Sequence, residues 1–464
     1  MRATPRILII VLALGAGYFA RGQPAGVQAQ RDAGGFNCSP APCVLPPTQA
    51  SEGGDSVVTD SPIAADPLSQ ERLSLGSRDS NCVSEGDLGL HLSEDGGSTW
   101  ARVECMPVIA GRRGFYAADE PSVGYDGKGN AYASGAYSDI AGQGYGLAAV
   151  QRSSDGGKNW SKPVIALQSP GNTFPYLTHL SVDASPSSPW AGAVYVSGVL
   201  VSDQDRKNQV MVSHSTDGGA TWTQVAVDSV QKYRAQDVWT RMAVATDGAV
   251  YATWIACLSP CAAGNLMLSK STDGGSTWST PGRIARVVMP PQGLPHTFER
   301  VYNYASVSVD NSDGPYAGTV YVVMYTWTGS YLKVQIMRST DGGTTWSKPM
   351  RLAPKGDTHD QFFPAISVSS TGKVGVSWLD RRNDPNDIDY QAFAAISEDG
   401  GQSFGANWQL TTAFSNPKNN GTGDNWMGDY TGNTWKGDNV FVAAWMDSSN
   451  GVDMQEEVGG VRLK

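Results

Sequence analysis

An eight-residue turn, Ser-x-Asp-Gly-Gly-x-(Ser/Thr/Asn)-Trp, recurs six times along the 464 residues and constrains the fold more than any other feature. The first copy is Ser93-Glu94-Asp95-Gly96-Gly97-Ser98-Thr99-Trp100. The others begin at Ser153, Ser215, Ser271, Ser339 and Ser397, the last with Phe404 in place of Trp. Their acidic residues, Asp95, Asp155, Asp217, Asp273, Asp341 and Asp399, are spaced by 60, 62, 56, 68 and 58 residues. A period near 60 suits one four-stranded sheet with generous loops, repeated around a ring. Asp-Gly-Gly supplies residues that tolerate positive φ in a tight turn. The carboxylate can accept backbone N–H groups of its own turn. These six Asp are therefore assigned a structural role. A short alternating run precedes each turn, as in Val210-Met211-Val212-Ser213-His214, and reads as a strand.

A second pattern counts the sheets. Inner strands with their partners are read at Ser61–Asp66 with Leu73–Ser77, Ser122–Asp126 with Ala131–Tyr137, and His179–Asp183 with Ala193–Leu200. They continue at Arg241–Thr246 with Val250–Ile255, Tyr304–Asp310 with Thr319–Thr326, Ala365–Ser369 with Val374–Leu379, and Gly428–Thr434 with Val440–Met446. That makes seven openings against six turns. The residues after Phe36 give about 61 per sheet for seven sheets and about 71 for six, and the first value matches the repeat. The expected fold is all-β, a seven-bladed β-propeller, with a six-bladed ring as the alternative. An open ring would expose a sheet edge. A strand near Val44–Thr59 is expected to complete the seventh blade, whose third strand lies near Met454–Val458.

Composition agrees with a secreted ring. Gly makes up 54 of 464 residues, about 12%, without a collagen period, so the glycines belong to turns. A formal net charge of -10 argues against a nucleic-acid partner, which needs a basic face. Residues 1–29 read as a signal peptide or anchor: Arg2 and Arg6, an apolar run from Ile7 to Ala20, then Val27-Gln28-Ala29. No second candidate span exists in the sequence, so no other membrane contact is expected. Residues 30–54 read as a linker and closing strand, and 55–464 as the propeller. Six cysteines suit an oxidising compartment. Their spacing suggests Cys38 with Cys43, Cys82 with Cys105 and Cys257 with Cys261. The expected location is secreted, periplasmic or cell-envelope, and the expected state is a monomer.

The turn resembles the Asp box, or BNR repeat, of bacterial sialidases and neuraminidases. With Asp60-Ser61-Pro62-Ile63-Ala64-Ala65-Asp66 and Trp378-Leu379-Asp380-Arg381-Arg382, the chain is similar to secreted exo-α-sialidase-like propellers over about residues 55–450. The resemblance implies that the boxes sit opposite the active face and carry no chemistry. In a propeller the inner strand begins, and its partner ends, on the ligand face. That places Asp119, Glu120, His179, Trp239, Arg241, Arg300, Tyr302, Tyr304, Asp360, Trp426, Asp429 and Tyr430 at strand starts. Arg78, Asp79, Trp378 and Arg381 fall at partner-strand ends.

Sialidases hold the sugar carboxylate with three arginines, because guanidinium pairs with carboxylate through two parallel hydrogen bonds. Arg78, Arg241, Arg300 and Arg381 could supply them. Glu299 with Tyr302 or Tyr304 could form the nucleophile pair, and Asp79, Asp119 or Glu120 the acid. Trp239, Trp378, Asp360 and Tyr430 complete the expected substrate-binding set. The Phe/Tyr-Arg-Ile-Pro segment of sialidases is missing, which puts the first arginine in doubt.

The functional expectation is a sialidase-like glycoside hydrolase acting on acidic sugars, with a carbohydrate ligand. The alternatives are a non-catalytic glycan- or protein-binding propeller and a polysaccharide lyase using His179 or His359. No cofactor is expected. The loops Asp310–Gly314 and Asn383–Asp387 are rich in oxygen ligands that could take calcium, but neither has EF-hand spacing. No GxSxG, P-loop or HExxH motif occurs.

Overall fold

The computed structural model describes residues 36–464 except 52–56, 83–85, 112, 169–172, 203–204, 233, 303 and 424. The proposed signal segment lies outside the described residues. Seven antiparallel sheets follow one another along the chain. Blade 1 runs from Val58–Thr59 and Ile63–Ala65 on the inside through Leu73–Asp79 and Leu88–Ser93 to Ala101–Cys105. Blade 2 begins at Phe115–Tyr125, blade 3 at Phe174–Val182, blade 4 at Ala235–Val244, blade 5 at Ala305–Val309 and blade 6 at Gln361–Val368. Blade 7 is built from Gly432–Lys436, Val440–Asp447 and Gln455–Arg462, and its fourth strand is Cys43–Gln49.

The ring therefore closes as the strand count requires. The closing strand is shorter than the expected segment. Cys43–Gln49 pairs antiparallel with Gln455–Arg462, whereas Val58–Thr59 pairs with Leu73–Asp79 inside blade 1. This arrangement accounts for six boxes on seven blades. Each box is the turn between the third and fourth strands of its blade. In blade 7 the fourth strand arrives from the amino-terminal side, so no such turn exists there.

Each box is a closed hydrogen-bond circuit. In the first, Ser93 Oγ donates to Asp95 Oδ1 at 2.9 Å and accepts Gly97 N–H at 2.8 Å. Asp95 also accepts Thr99 N–H at 2.9 Å and Thr99 Oγ1–H at 2.6 Å. The Trp100 indole donates to Gly97 O at 3.2 Å. Both glycines hold positive φ, 74° and 102° in this copy, a conformation that disfavours side chains. The first glycine of each box packs on a side chain of the preceding blade: Lys436, Arg72, Arg152, Trp190, Lys270 and Tyr316 in order. The box thus clasps neighbouring blades as well as turning the chain.

The core fills the wedges between sheets. Trp254, Trp378 and Trp445, on the second strands of blades 4, 6 and 7, are among its largest fully buried side chains. The three expected disulfides form, joining Cys38 to Cys43, Cys82 to Cys105 and Cys257 to Cys261. No helix among the described residues is long and apolar enough to cross a membrane.

Leu45, buried on the closing strand, belongs to one apolar cluster with Leu73, Leu75, Val442 and Val458. Leu45→Ala should lower unfolding stability by about 2–5 kcal/mol, read from urea denaturation. A loss below about 0.5 kcal/mol would show that closure contributes little.

The boxes also set an acid limit. Hydrogen bonds from the Thr221 and Thr345 side chains hold Asp217 and Asp341 at about 2. A depressed carboxyl stabilises the fold above its unfolded value near about 4 and loses that contribution as pH falls toward about 2. Stability measured from pH 5 to 2 should therefore decline, and Asp217→Asn should make the decline shallower.

Candidate functional site: a charged mouth at the seam of blades 7 and 1

The inner strands do not pair continuously. Pairing breaks between Asp119 and Ser122, Tyr176 and His179, Val238 and Arg241, and Phe362 and Ala365. At each break one residue adopts left-handed backbone: Glu120 (φ 61°), Leu177 (59°), Trp239 (58°) and Phe363 (49°). Asp60, just before the inner strand of blade 1, does the same at 65°. Non-glycine residues lose about 1–2 kcal/mol in this conformation. Such strain clusters at functional sites. Two of these bulges carry a proline, Pro121 and Pro364. Proline within a sheet is confined to edges and bulges, so Glu120-Pro121 and Phe363-Pro364 are a sequence signal for them.

The bulges gather a charged cluster. Arg300 Nη2 lies 2.7 Å from Asp429 Oδ2 and its guanidinium stands 4.9 Å over the Tyr302 ring. Arg78 stands 4.7 Å over Trp426 and 3.8 Å from Asp87. Arg300 reaches the same indole at 5.8 Å, so Trp426 joins the two cations. Both arginine side chains are more than one-third exposed, at 36% and 39%. Burial opposes the charge on Arg78 and Arg300. For Arg78 the Asp119 carboxylate, and for Arg300 the Asp429 carboxylate, leads the interactions that raise each guanidinium above its ordinary value. Asp429 N–H donates to Asp60 Oδ1 at 2.6 Å, and Ser61 N–H donates to Tyr430 O at 3.3 Å. The site thus straddles the junction where the last blade meets the first.

The carboxyls sit in different environments. Burial pushes Asp429 upward despite Arg300 beside it, and burial with Asp429 and Asp119 nearby pushes Asp60 well above its ordinary range. Glu120 is raised by burial although it accepts N–H groups of Leu177, at 2.5 Å, and Thr178. Asp119 is half-buried and accepts Glu120 N–H at 3.0 Å. Tyr302 is half-buried, raised by burial against the opposing pull of Arg300. Tyr176 is 44% exposed.

Other expected site residues lie elsewhere. Arg381 is fully buried; it donates to Pro295 O at 2.7 Å and Thr297 Oγ1 at 2.9 Å, and approaches Asp360 at 3.4 Å. It anchors the loop before blade 5. Asp360 is itself buried, accepting Leu332 N–H at 2.7 Å. Glu299 is buried 2.9 Å from Lys418 Nζ, and its charge acts on Arg381. Tyr302 feels the charges of Arg300, Asp429 and Asp119, while the ion-pair partner of Glu299 is Lys418. Tyr304 is buried between Trp239, at 5.8 Å, and Phe363, at 6.2 Å. Trp239, which also contacts Tyr302 at 5.4 Å, is 2% exposed. Trp378 is buried with its indole donating to Asp380 at 2.7 Å. Asp79 turns into blade 1, accepting Asn81 N–H at 2.8 Å with Arg102 at 3.3 Å.

Tyr430 spans the channel mouth, its hydroxyl donating to Pro121 O at 2.7 Å, with Arg241 beneath it at 4.8 Å. Arg78 and Arg300 share the mouth, Arg241 lies in the channel, and Arg381 lies in the core. Sequence reasoning missed Asp60, Asp87 and Tyr176. Asp429 and Trp426 belong to its strand-start set but match no sialidase role.

The oxygen-rich loops spend their ligands on themselves. Asp310 Oδ1 accepts Ser312 N–H at 2.9 Å, and Asp384 accepts the N–H groups of Asn386, Ile388 and Asp389 at 2.8–3.0 Å. No group of three or more His, Cys, Asp or Glu among the described residues is placed to hold a metal.

The profile of the BNR/Asp-box repeat matches residues 337–348, the fifth box. No curated protein matches the chain. Among solved structures, the α-L-arabinofuranosidase of Fusarium graminearum with arabinobiose aligns at a TM-score of 0.50 and 13% identity, covering 76% of this chain and 98% of that one. A Dyadobacter fermentans protein of unknown function covers 92% and 100% at 0.49 and 14%. The Hadza microbial sialidase Hz136 covers 84% and 74% at 0.47 and 15%. These likenesses concern the fold alone. The six turns, their hydrogen-bond circuits and the closed ring make this chain a seven-bladed Asp-box β-propeller.

Proposed function

We propose that this propeller acts outside the cytoplasm, binding a glycan at the blade 7–blade 1 seam and cleaving a glycosidic bond there. The observation that carries this reading is the pairing of two carboxyls in unlike environments, Asp429 and Asp119, with two arginines and an aromatic wall. Glycosidases need one carboxyl kept protonated and another kept ionised. Asp429, raised by burial, suits the general acid. Asp119, half-buried and held electrostatically to Arg78 and Arg300, suits the base or nucleophile. Trp426, Tyr302 and Tyr176 offer faces for sugar C–H groups. Three disulfides support an oxidising compartment.

The same contacts bear on the sugar. Arg78 already faces the Asp87 carboxylate, and the Asp119 carboxylate acts on both mouth arginines. A matched guanidinium has little unspent charge for a sugar carboxylate. Hydroxyls, which accept from arginine and donate to aspartate, complement such pairs better. We therefore favour a neutral sugar over the acidic one that the repeat first suggests. His179 faces the channel and His359 bonds Asp357 at 2.8 Å, so neither supports lyase chemistry at this mouth.

A second reading, binding without turnover, draws on the 2.7 Å Arg300–Asp429 contact. That contact must loosen before Asp429 can deliver a proton. A panel of aryl glycosides including α-L-arabinofuranosides and sialosides separates the readings. Hydrolysis should appear on a neutral glycoside, fall about 100-fold or more in Asp429→Asn, and leave substrate binding within a few fold. The alkaline limb of its pH profile should lie above the usual carboxyl range. Saturable glycan binding with no release from any substrate would establish the binding reading instead. Release confined to sialosides would reverse the preference for neutral sugars.

A further inference from the structure

The central channel holds a charge that the mouth does not use. Arg241, on the inner strand of blade 4, is 6% exposed. Its guanidinium donates to the carbonyl of its own neighbour, Thr240, at 3.0 Å, and makes no ion pair among the described residues. Three aromatic rings surround it, Tyr430 at 4.8 Å, Tyr304 at 5.4 Å and Trp239 at 5.7 Å. An arginine has five N–H donors in a fixed fork. Burying it without a counter-charge costs several kcal/mol.

The guanidinium lines a cavity of about 150 Å³ inside the ring of inner strands. The polar lining includes Ser122, Thr178, His179, Ser306 and Asn433, and no Asp or Glu is among the lining residues. The Ser122 hydroxyl accepts Leu180 N–H at 3.2 Å, which leaves its own proton free to point inward. The Tyr430 hydroxyl is fixed to Pro121 O, and its ring forms part of the cavity wall. Of the acids near Tyr430, Asp60 Oδ1 takes Asp429 N–H, and Glu120 takes two backbone N–H groups. Burial favours the neutral form of both. His179 is likewise held neutral by burial and by Arg241.

We propose that the channel beneath Tyr430 binds a small inorganic anion of halide or nitrate size against the Arg241 guanidinium, with the Ser122 and Ser306 hydroxyls as further donors. A cavity of this volume takes such an ion with a few waters, each occupying about 30 Å³. The ion supplies a counter-charge inside the cavity, whose lining holds no Asp or Glu. It also supports Tyr430, the neighbour of Asp429, from below. The site is separate from the glycan mouth and does not depend on that assignment.

Bromide is a suitable probe, because it fits the cavity and scatters anomalously. Thermal unfolding of the intact protein in sodium bromide, compared with sodium gluconate at equal ionic strength, should show a rise in Tm that saturates with bromide. Arg241→Gln should lose the saturable part, and Ser122→Ala should shift its midpoint several-fold to higher bromide. Crystals in bromide should give an anomalous peak within hydrogen-bonding reach of the Arg241 guanidinium. Should Arg241→Gln fail to fold, the peak and the Ser122→Ala shift decide the matter. A channel holding only water, or a bromide response identical in wild type and the Ser122→Ala and Arg241→Gln variants, would overturn the proposal.

Discussion

The pairing of Cys43–Gln49 with Gln455–Arg462 is the interaction on which the rest of the ring depends. Without it the third strand of blade 7 is an open edge, and the first and last blades have no common sheet to hold them in register. The mouth sits on the same junction. Asp60 and Arg78 come from blade 1, while Trp426, Asp429 and Tyr430 lead into blade 7. The hydrogen bond from Asp429 N–H to Asp60 joins residues 369 positions apart. Closure thus builds the site as well as the fold, and a loosened closing strand should disturb the Arg–Asp cluster before it disturbs blades 3 to 5.

The division of labour between the two ends of each blade follows from register. In blade 2 the far end of the inner strand, Tyr125, pairs with Ala131, which pairs with Ser153 at the start of the box. The boxes therefore lie level with the far end of the inner strands, and the bulges lie at the other. At the box end the Ser and Asp side chains bond within their own turn, as Ser93 and Asp95 do, and glycines carry the positive φ angles. At the bulge end bulky residues such as Trp239 and Phe363 carry them instead, and carboxyls crowd together. One end is built for stability and the other accepts strain.

The regular half of this design was legible in the sequence. Turn spacing and alternation gave seven openings, and the deficit of one box pointed to a strand contributed from the amino-terminal side. Local spacing gave the disulfides. The site was legible only in part. Partner-strand ends fall close to their expected places, but inner strands begin earlier than expected, at Phe115 rather than Ser122 and at Ala235 rather than Arg241, and a strand end does not reveal which way a side chain turns. Arg381 and Arg78 both end second strands, yet Arg381 is drawn inward by Pro295 and Thr297 of a loop some 85 residues away in sequence. Glu299 is likewise claimed by Lys418. Bulges reverse side-chain alternation at the point where chemistry sits. Only the prolines at 121 and 364 announced them.

The two ends also respond oppositely to acid. Box carboxylates such as Asp217 have depressed affinity for protons, so they stabilise the fold above about pH 4 and lose that contribution below it. Asp60, Glu120 and Asp429 have raised affinity. Their contribution is complete below the unfolded value and is lost as pH rises from about 4 through their folded values. At neutral pH the mouth is therefore a source of instability that the boxes, clasps and closing strand offset. A carboxyl that stays protonated at the expense of stability is what a general acid requires. If Asp429 has that role, Asp429→Asn should leave the protein folded and remove part of the loss of stability between pH 4 and 7, while abolishing turnover. A purely structural Asp429 would behave differently, because losing its contact with Arg300 would leave the guanidinium unmatched and lower stability across the whole range.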